Sequence, residues 1–249
     1  MTRFLTPRRI ALQVIACFLV CLGFVPTSPP LRQAMAQNAK PVVYVFLQLD
    51  AKSSVVERML KQQLPDLSVT VFGRLRDFEE RLTTAHPDAV LSVGPILQQH
   101  AETASLQGYR DGKSVEPYLL ASVQALESPL TGKTIGVVEL LGREGTQAFV
   151  NGLLTATNLK IKRVAKVEDL LSLLEFSAAD GIILPSALLP VLVERTRLAI
   201  KARELPGALV GLPAVAVLNP AVRVLVVRAF QALDAPTKRL LGIDSWRVP

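Results

Sequence analysis

Two cysteines, two histidines and one tryptophan in 249 residues are the first informative feature of this sequence. Cys17 and Cys21 sit together near the N-terminus, so no disulfide framework or thiolate metal site is spread through the chain. His86 and His100 match no zinc spacing, and nothing near either supplies a third ligand. They read as surface side chains. The 14 glycines follow no period, which excludes a collagen-like chain. There is no Gly-x-Ser-x-Gly elbow, no Walker loop and no Gly-x-Gly-x-x-Gly run, and no nucleophile has a visible base beside it. Neither an enzyme nor a cofactor nor a metal is indicated.

What is present is apolar. Hydrophobic residues make up 50% of the chain and charged ones 20%, which excludes intrinsic disorder. The length suits one large domain or two small ones with a real core. A formal charge of +7 comes from 28 Lys plus Arg against 21 Asp plus Glu. Four of these cations, Arg3, Arg8, Arg9 and Arg32, precede residue 37; taking those four from the 28 leaves 24 against 21, a net of +3. The other cations are interleaved with acids, as in Glu57-Arg58 and Arg74-Leu75-Arg76-Asp77, the pattern of solvated helix faces. Aromatics are only 5%, and no one-sided basic stripe exists, so a nucleic-acid partner is not expected.

Residues 1–36 carry no acid and read as an export signal. Arg3, Arg8 and Arg9 form a positive start, residues 10–25 an apolar run, and Ala34-Met35-Ala36 a small-x-small cleavage site. A cut after Ala36 leaves Gln37 first and removes both cysteines. Three other readings of the leader stay open: an uncleaved anchor, a lipoprotein acylated at Cys17 in Val14-Ile15-Ala16-Cys17, and a twin-arginine route through Arg8-Arg9. The compartment expected is the bacterial periplasm.

Beyond the leader the pattern alternates. Residues 42–47 (VVYVFL) are a run suited to a strand buried on both faces. Ser53 or Ser54 is placed to N-cap a helix to about residue 64, and a strand at 67–72, a helix at 76–85 and a strand at 89–93 follow. A polar stretch at 98–116 interrupts the series before a strand at 118–123. Pro129-Leu130-Thr131-Gly132-Lys133 marks a boundary. Behind it come strands at 134–138, 160–164 and 181–184, with helices at 146–154, 167–175 and 186–195. Residues 208–218 look extended, and helices at 221–233 and 236–241 close the series. This predicts an α/β protein of two lobes, each a mainly parallel sheet flanked by helices. Lobe 1 is expected at 37–128 and lobe 2 at 129–204, with 205–249 packing back toward lobe 1.

In open α/β sheets ligands sit beyond the carboxyl ends of the strands, near helix N-termini. Four loops qualify, and they name the candidate ligand contacts. These are Asp50, Ser53 and Ser54 after the first strand, and Gly94 after the third. In the second half Gly142, Arg143, Gly145 and Thr146 lie in ELLGREGT, and Ser186 follows the strand ILL. The glycines would let backbone amides approach an anion, with Arg143 adding charge.

Leu130-Thr131-Gly132-Lys133-Thr134-Ile135-Gly136-Val137, and later Ala179-Asp180-Gly181-Ile182-Ile183, resemble segments of the type II periplasmic solute-binding proteins. The chain is most similar to the phosphate/phosphonate-type substrate-binding components of ABC transporters. That resemblance implies a solute clamped between two lobes, an extracytoplasmic site, a permease partner in the inner membrane and a monomer. The family's anion loop in lobe 2 carries consecutive Ser/Thr residues; here only Thr146 corresponds, beside Arg143 and Glu144. The alternative is an exported accessory protein of the same fold with no small ligand.

Overall fold

The computed structural model describes residues 39–249 apart from 50, 101, 155 and 157, so the leader reading of residues 1–36, with Cys17 and the cut after Ala36, lies outside the described residues. From β1 (Val42–Phe46) the chain runs through α1 (Ser53–Gln63), β2 (Ser68–Phe72), α2 (Leu75–Thr84), β3 (Ala89–Ser92), α3 (Gly94–Gln99) and β4 (Leu106–Tyr109). It then builds β5 (Val115–Ser122), β6 (Thr134–Val138), α4 (Gly142–Leu154), β7 (Lys160–Val164), α5 (Glu168–Glu175), β8 (Gly181–Pro185), α6 (Leu189–Glu194) and β9 (Lys201–Gly211). The last elements are β10 (Ala214–Val217), α7 (Arg223–Gln231), α8 (Ala235–Leu240) and β11 (Ser245–Arg247).

These strands form two sheets, in the orders β11-β4-β10-β3-β1-β2 and β7-β6-β8-β5-β9. β1 pairs in parallel with β2 and β3, and β6 with β7 and β8. The other pairings, of β10, β4 and β11 in the first sheet and of β5 with β8 and β9 in the second, are antiparallel. The sheets are therefore mixed rather than mainly parallel. Apolar runs reveal that a strand is buried but not which way its neighbour runs. Nor does β5 stay with lobe 1, where residues 37–128 were expected: it hydrogen-bonds wholly within the second sheet.

The two parallel units are built alike. Asp88, just before β3, accepts the Val42 amide at 2.8 Å, and Asp180, just before β8, accepts the Thr134 amide at 2.7 Å. Each pair is separated by 46 positions. In both units the aspartate's own amide returns a hydrogen bond of 2.8 Å to the same residue's carbonyl. The clamp thus fixes the register of a first strand against a third. Segments 130–137 and 179–183, which carry the family resemblance, meet here, and Lys133 Nζ also reaches Asp180 at 3.5 Å. Their shared pattern serves strand pairing.

Side chains alternate across each sheet with the period of two that a pleated strand requires. Val43 and Val45 enter one core cluster with α1 and α7, while Tyr44 and Phe46 enter another with α2. In the second sheet Ile135, Val137 and Ile183 point to one core, Ile182 and Leu184 to the opposite one. Trp246 lies in the first core, its ring edge-on to Phe230 with centroids 5.9 Å apart.

Several element boundaries differ from the sequence pattern. α4 begins at Gly142, which takes φ +66° to turn into it, rather than at Thr146. α1 is capped at Lys52 without a side-chain bond, so neither Ser53 nor Ser54 is the cap. Ser186 opens a 3₁₀ turn (Ser186–Leu188) and likewise caps nothing with its hydroxyl. The extended segment at 208–218 is two strands in different sheets, broken at Leu212-Pro213.

Phe230 is fully buried and Val224 is 71% exposed on the same helix. Phe230→Ala should cost about 3–5 kcal/mol in urea unfolding followed by the single tryptophan, and Val224→Ala less than about 0.5 kcal/mol. Asp88→Ala leaves the Val42 amide and the Asn219 amide group without their acceptor, for a loss of about 1.5–3 kcal/mol.

Candidate functional site

The chain crosses between the sheets twice. The first crossing, between β4 and β5, contains the turn Asp111-Gly112, with φ +50° and +73°. The second, between β9 and β10, is Leu212-Pro213. They run beside each other: Leu212 donates its amide to the Ser114 carbonyl at 2.8 Å, and Gly108 donates to Pro213 at 2.9 Å. Gly108 is required there, since a Cβ on it would lie 2.6 Å from the Pro213 carbonyl oxygen. With both crossings at one edge, the carboxyl ends of β1, β2 and β3 and those of β6, β7 and β8 come to line the same cleft.

Two cavities open in that cleft. One, of about 310 Å³, is lined by the β1–α1 loop, the end of β2, Val138 and the β7–α5 loop with Lys166 and Glu168. The other, of about 360 Å³, lies over the crossings, between Val93, Tyr118, Pro185, Leu188, Val191 and Leu240. Leu47, Gln48, Leu49 and Ala51 border both. α1 makes its first backbone bonds from Val55 and Val56 to the Lys52 carbonyl, so the amides of Ser53 and Ser54 stay outside the helical ladder at the wall of the smaller cavity.

An ion pair crosses the wall of the larger cavity. Arg110 Nη2 lies 2.6 Å from Glu116 Oε2, with the two side chains 25% and 16% exposed. Arg110 Nη1 also donates to the Gly242 carbonyl at 3.3 Å, and Glu116 accepts the Ala187 amide at 3.4 Å. The pair therefore ties the α8–β11 turn beside the first sheet to the turn after β8 in the second. Tyr118, next but one to Glu116, is 2% exposed. Burial, with the Glu116 charge adding to it, pushes its phenol well above the ordinary range, so it stays a neutral hydroxyl.

The sequence candidates divide between these places. Ser53 and Ser54 line the smaller cavity. Asp50 lies outside the described residues. Gly94 packs its backbone against Gly211, where a Cβ on it would be 3.7 Å from the Gly211 Cα, while its neighbour Val93 lines the larger cavity. Ser186 sits between two residues that line the larger cavity, Pro185 and Ala187. Arg143 and Gly145 line an open groove with Pro95 and Gln99, and Gly142 adjoins it. Neither cavity is lined by any of those three. Thr146 is 1% exposed, and its hydroxyl accepts the Leu141 amide at 3.3 Å, so it ties its helix to the residue that precedes it.

A different residue of that loop reaches across the cleft. Leu140, 2% exposed, is buried with Tyr44, Phe46, Phe78 and Ile96 in a core cluster of the first sheet. Residues the sequence reading passed over are Lys52, Arg110, Glu116, Lys166, Glu168 and Arg239. Lys166 and Glu168 follow a strand end as the candidates do, and the same rule applied to the β7 loop would have found them. Among the described residues no group of His, Cys, Asp and Glu could hold a metal ion.

No protein family's sequence model matches the chain, and neither does any curated protein. Solved structures do match. The arginine-, lysine-, histidine-binding protein ArtJ from Geobacillus stearothermophilus is 14% identical, with a TM-score of 0.57 over 81% of this chain and 93% of its own. A substrate-binding protein of an amino acid ABC transporter is 15% identical, at 0.55 over 81% and 97%. The periplasmic VFT2 domain of BvgS from Bordetella pertussis is 14% identical, at 0.53 over 85% and 95%. The fold is that of the type II periplasmic binding proteins. Amino acids are named for the first two of these structures and no ligand for the third, so the phosphate and phosphonate part of the sequence resemblance finds no support among them.

Arg110→Ala should lower stability by about 1–3 kcal/mol in urea unfolding, because Glu116 and the Gly242 carbonyl both lose their donor. Arg110→Lys should recover only part of it, since an ammonium lacks the guanidinium fork that serves both acceptors.

Proposed function

We propose that this chain is a periplasmic solute-binding protein of an ABC-type uptake system, exported by its leader, that closes two lobes over a small solute and passes it to a membrane permease. One observation carries the reading: the carboxyl ends of both parallel units converge on a single cleft that holds two cavities of small-molecule size. The paired crossings supply a short hinge about which two rigid lobes can open and close. A phosphate-like solute is the narrower possibility raised by residues 130–137 and 179–183. In the fold these residues pair β6 with β8 and lie away from the cavity walls.

Thermal unfolding of the purified protein against amino acids, carboxylates, phosphate, phosphonates and sulfate tests this. A solute at about 100 times its dissociation constant should add about 2.7 kcal/mol, several degrees in Tm. A flat panel from a cooperatively unfolding protein would overturn the receptor reading in favour of an accessory protein with no small ligand. The leader has its own check. Full-length protein expressed in a Gram-negative host should be recovered from the periplasmic fraction beginning at Gln37, by intact mass.

A further inference from the structure

Buried polar atoms in a folded protein almost always find a partner, so one without a partner calls for a reason. Tyr118, at the wall of the larger cavity, is such a case. Its ring is buried in the core of the second sheet, edge-on to Phe149 with centroids 5.6 Å apart. Its hydroxyl forms no hydrogen bond among the described residues. Nor is that hydroxyl sealed off: Trp246 Nε1 is the one side-chain nitrogen or oxygen of the described residues that is both fully enclosed and unbonded. The little surface that Tyr118 keeps therefore includes its oxygen, and the space it borders is the larger cavity. The charges beside it are already engaged, because Arg110 and Glu116 hold each other, the Gly242 carbonyl and the Ala187 amide. Around them the lining is apolar, with Leu188, Val191, Val210 and Leu240.

We propose, resting on the solute-receptor reading, that Tyr118 sets the specificity of the cleft by bonding an uncharged oxygen, of a hydroxyl or carbonyl, at the tip of an apolar solute body. A tip without such an oxygen leaves the phenol unpartnered once the solute has displaced water, at the full cost of an unmade bond. A charged tip would need a counter-charge, and Arg110 and Glu116 are spent on each other. The opposite end of the solute is free to carry either sign, because Tyr118 does not read it. An apolar wall alone would prefer a plain chain to its hydroxylated twin, since burying a hydroxyl without a partner is unfavourable. A preference for the hydroxyl therefore reports a bond.

Calorimetric titration of the purified protein with matched six-carbon pairs tests this for every head charge. The pairs are hexanoate and 6-hydroxyhexanoate, hexylamine and 6-amino-1-hexanol, norleucine and 6-hydroxynorleucine, and 1-hexanol and 1,6-hexanediol. In each pair that binds, the hydroxylated member should bind about tenfold more tightly. Tyr118→Phe should abolish or reverse that preference and leave the plain member's affinity within about twofold. Without solute the variant should keep its Tm within about one degree, because the oxygen it loses has no partner in the protein.

Equal or weaker binding of the hydroxylated members would overturn the inference and leave the receptor reading standing. A hydroxyl preference that survives in Tyr118→Phe would do the same. So would tighter binding of adipate than of 6-hydroxyhexanoate, or of 1,6-diaminohexane than of 6-amino-1-hexanol. A variant that melts several degrees lower, or does not fold, would assign the hydroxyl to the fold instead of to a solute. Silence from all these probes while a solute of the wider panel binds would overturn this inference alone. Silence from that panel as well would remove both.

Discussion

Everything in this molecule that bears on function depends on the chain passing between its two sheets at one place. Had the crossings between β4 and β5 and between β9 and β10 lain at opposite ends, the sheets would form separate domains with unrelated edges. Instead Leu212 bonds to Ser114, and Gly108 approaches Pro213 more closely than any larger residue could. The two strands of chain act as one short strap. The Arg110–Glu116 pair sits on the strap and holds a turn of each lobe, so the charges steady the joint rather than await a ligand.

The second constraint is the repeated aspartate clamp. Asp88 and Asp180 each pin the first amide of a first strand to the start of a third, 46 residues later. Everything between is a strand, two helices and their loops, and the clamp sets where their carboxyl ends finish. Repeating the unit in each lobe therefore repeats the position of the loops. It is more a repeat of geometry than of sequence: VVYVF and TIGVV share an apolar, β-branched character and one valine in place, Val45 and Val137, beside the recurring aspartate. Carboxylate-to-amide bonds are stronger than neutral ones, which suits them to fixing register at a strand's exposed start.

Local pattern and long-range pairing account for what could and could not be read from the residues. VVYVF could be nothing but a buried strand, and the β-α-β-α-β spacing of each half follows from turn residues such as Pro65-Asp66 and His86-Pro87-Asp88. Ser53 and Ser54 could be placed at the mouth of the cleft because a strand end followed by a helix start is itself the signal. β4 could not be placed: Leu106 and Gly108 alternate into the core, but LQGY inside a polar stretch has only one apolar residue on its buried face to show the period of two. Yet Asp111-Gly112, the turn dipeptide that marks the first crossing, stands in plain view there. Arg110 and Glu116 are ordinary charges until the fold brings a carbonyl from residue 242 and an amide from residue 187 to them. β9 was half hidden by Lys201, Arg203 and Glu204, exposed charges that suit an edge strand and mask it from a search for apolar runs.

Leu140 changes how its loop must be understood. The loop that carries it was expected to meet a solute, because Gly142, Arg143 and Gly145 resemble an anion cradle. The fold spends that loop otherwise: Thr146 holds the Leu141 amide, and Leu140 is buried among Tyr44, Phe46 and Phe78 of the opposite lobe. Burying a leucine side chain stabilises by about 1.5–3 kcal/mol, and here that burial joins the second lobe to the core of the first. What looks in the sequence like a cradle for an anion is therefore, at Leu140, a contact between lobes, and Arg143 and Gly145 are left beside Pro95 and Gln99 in an open groove outside both cavities.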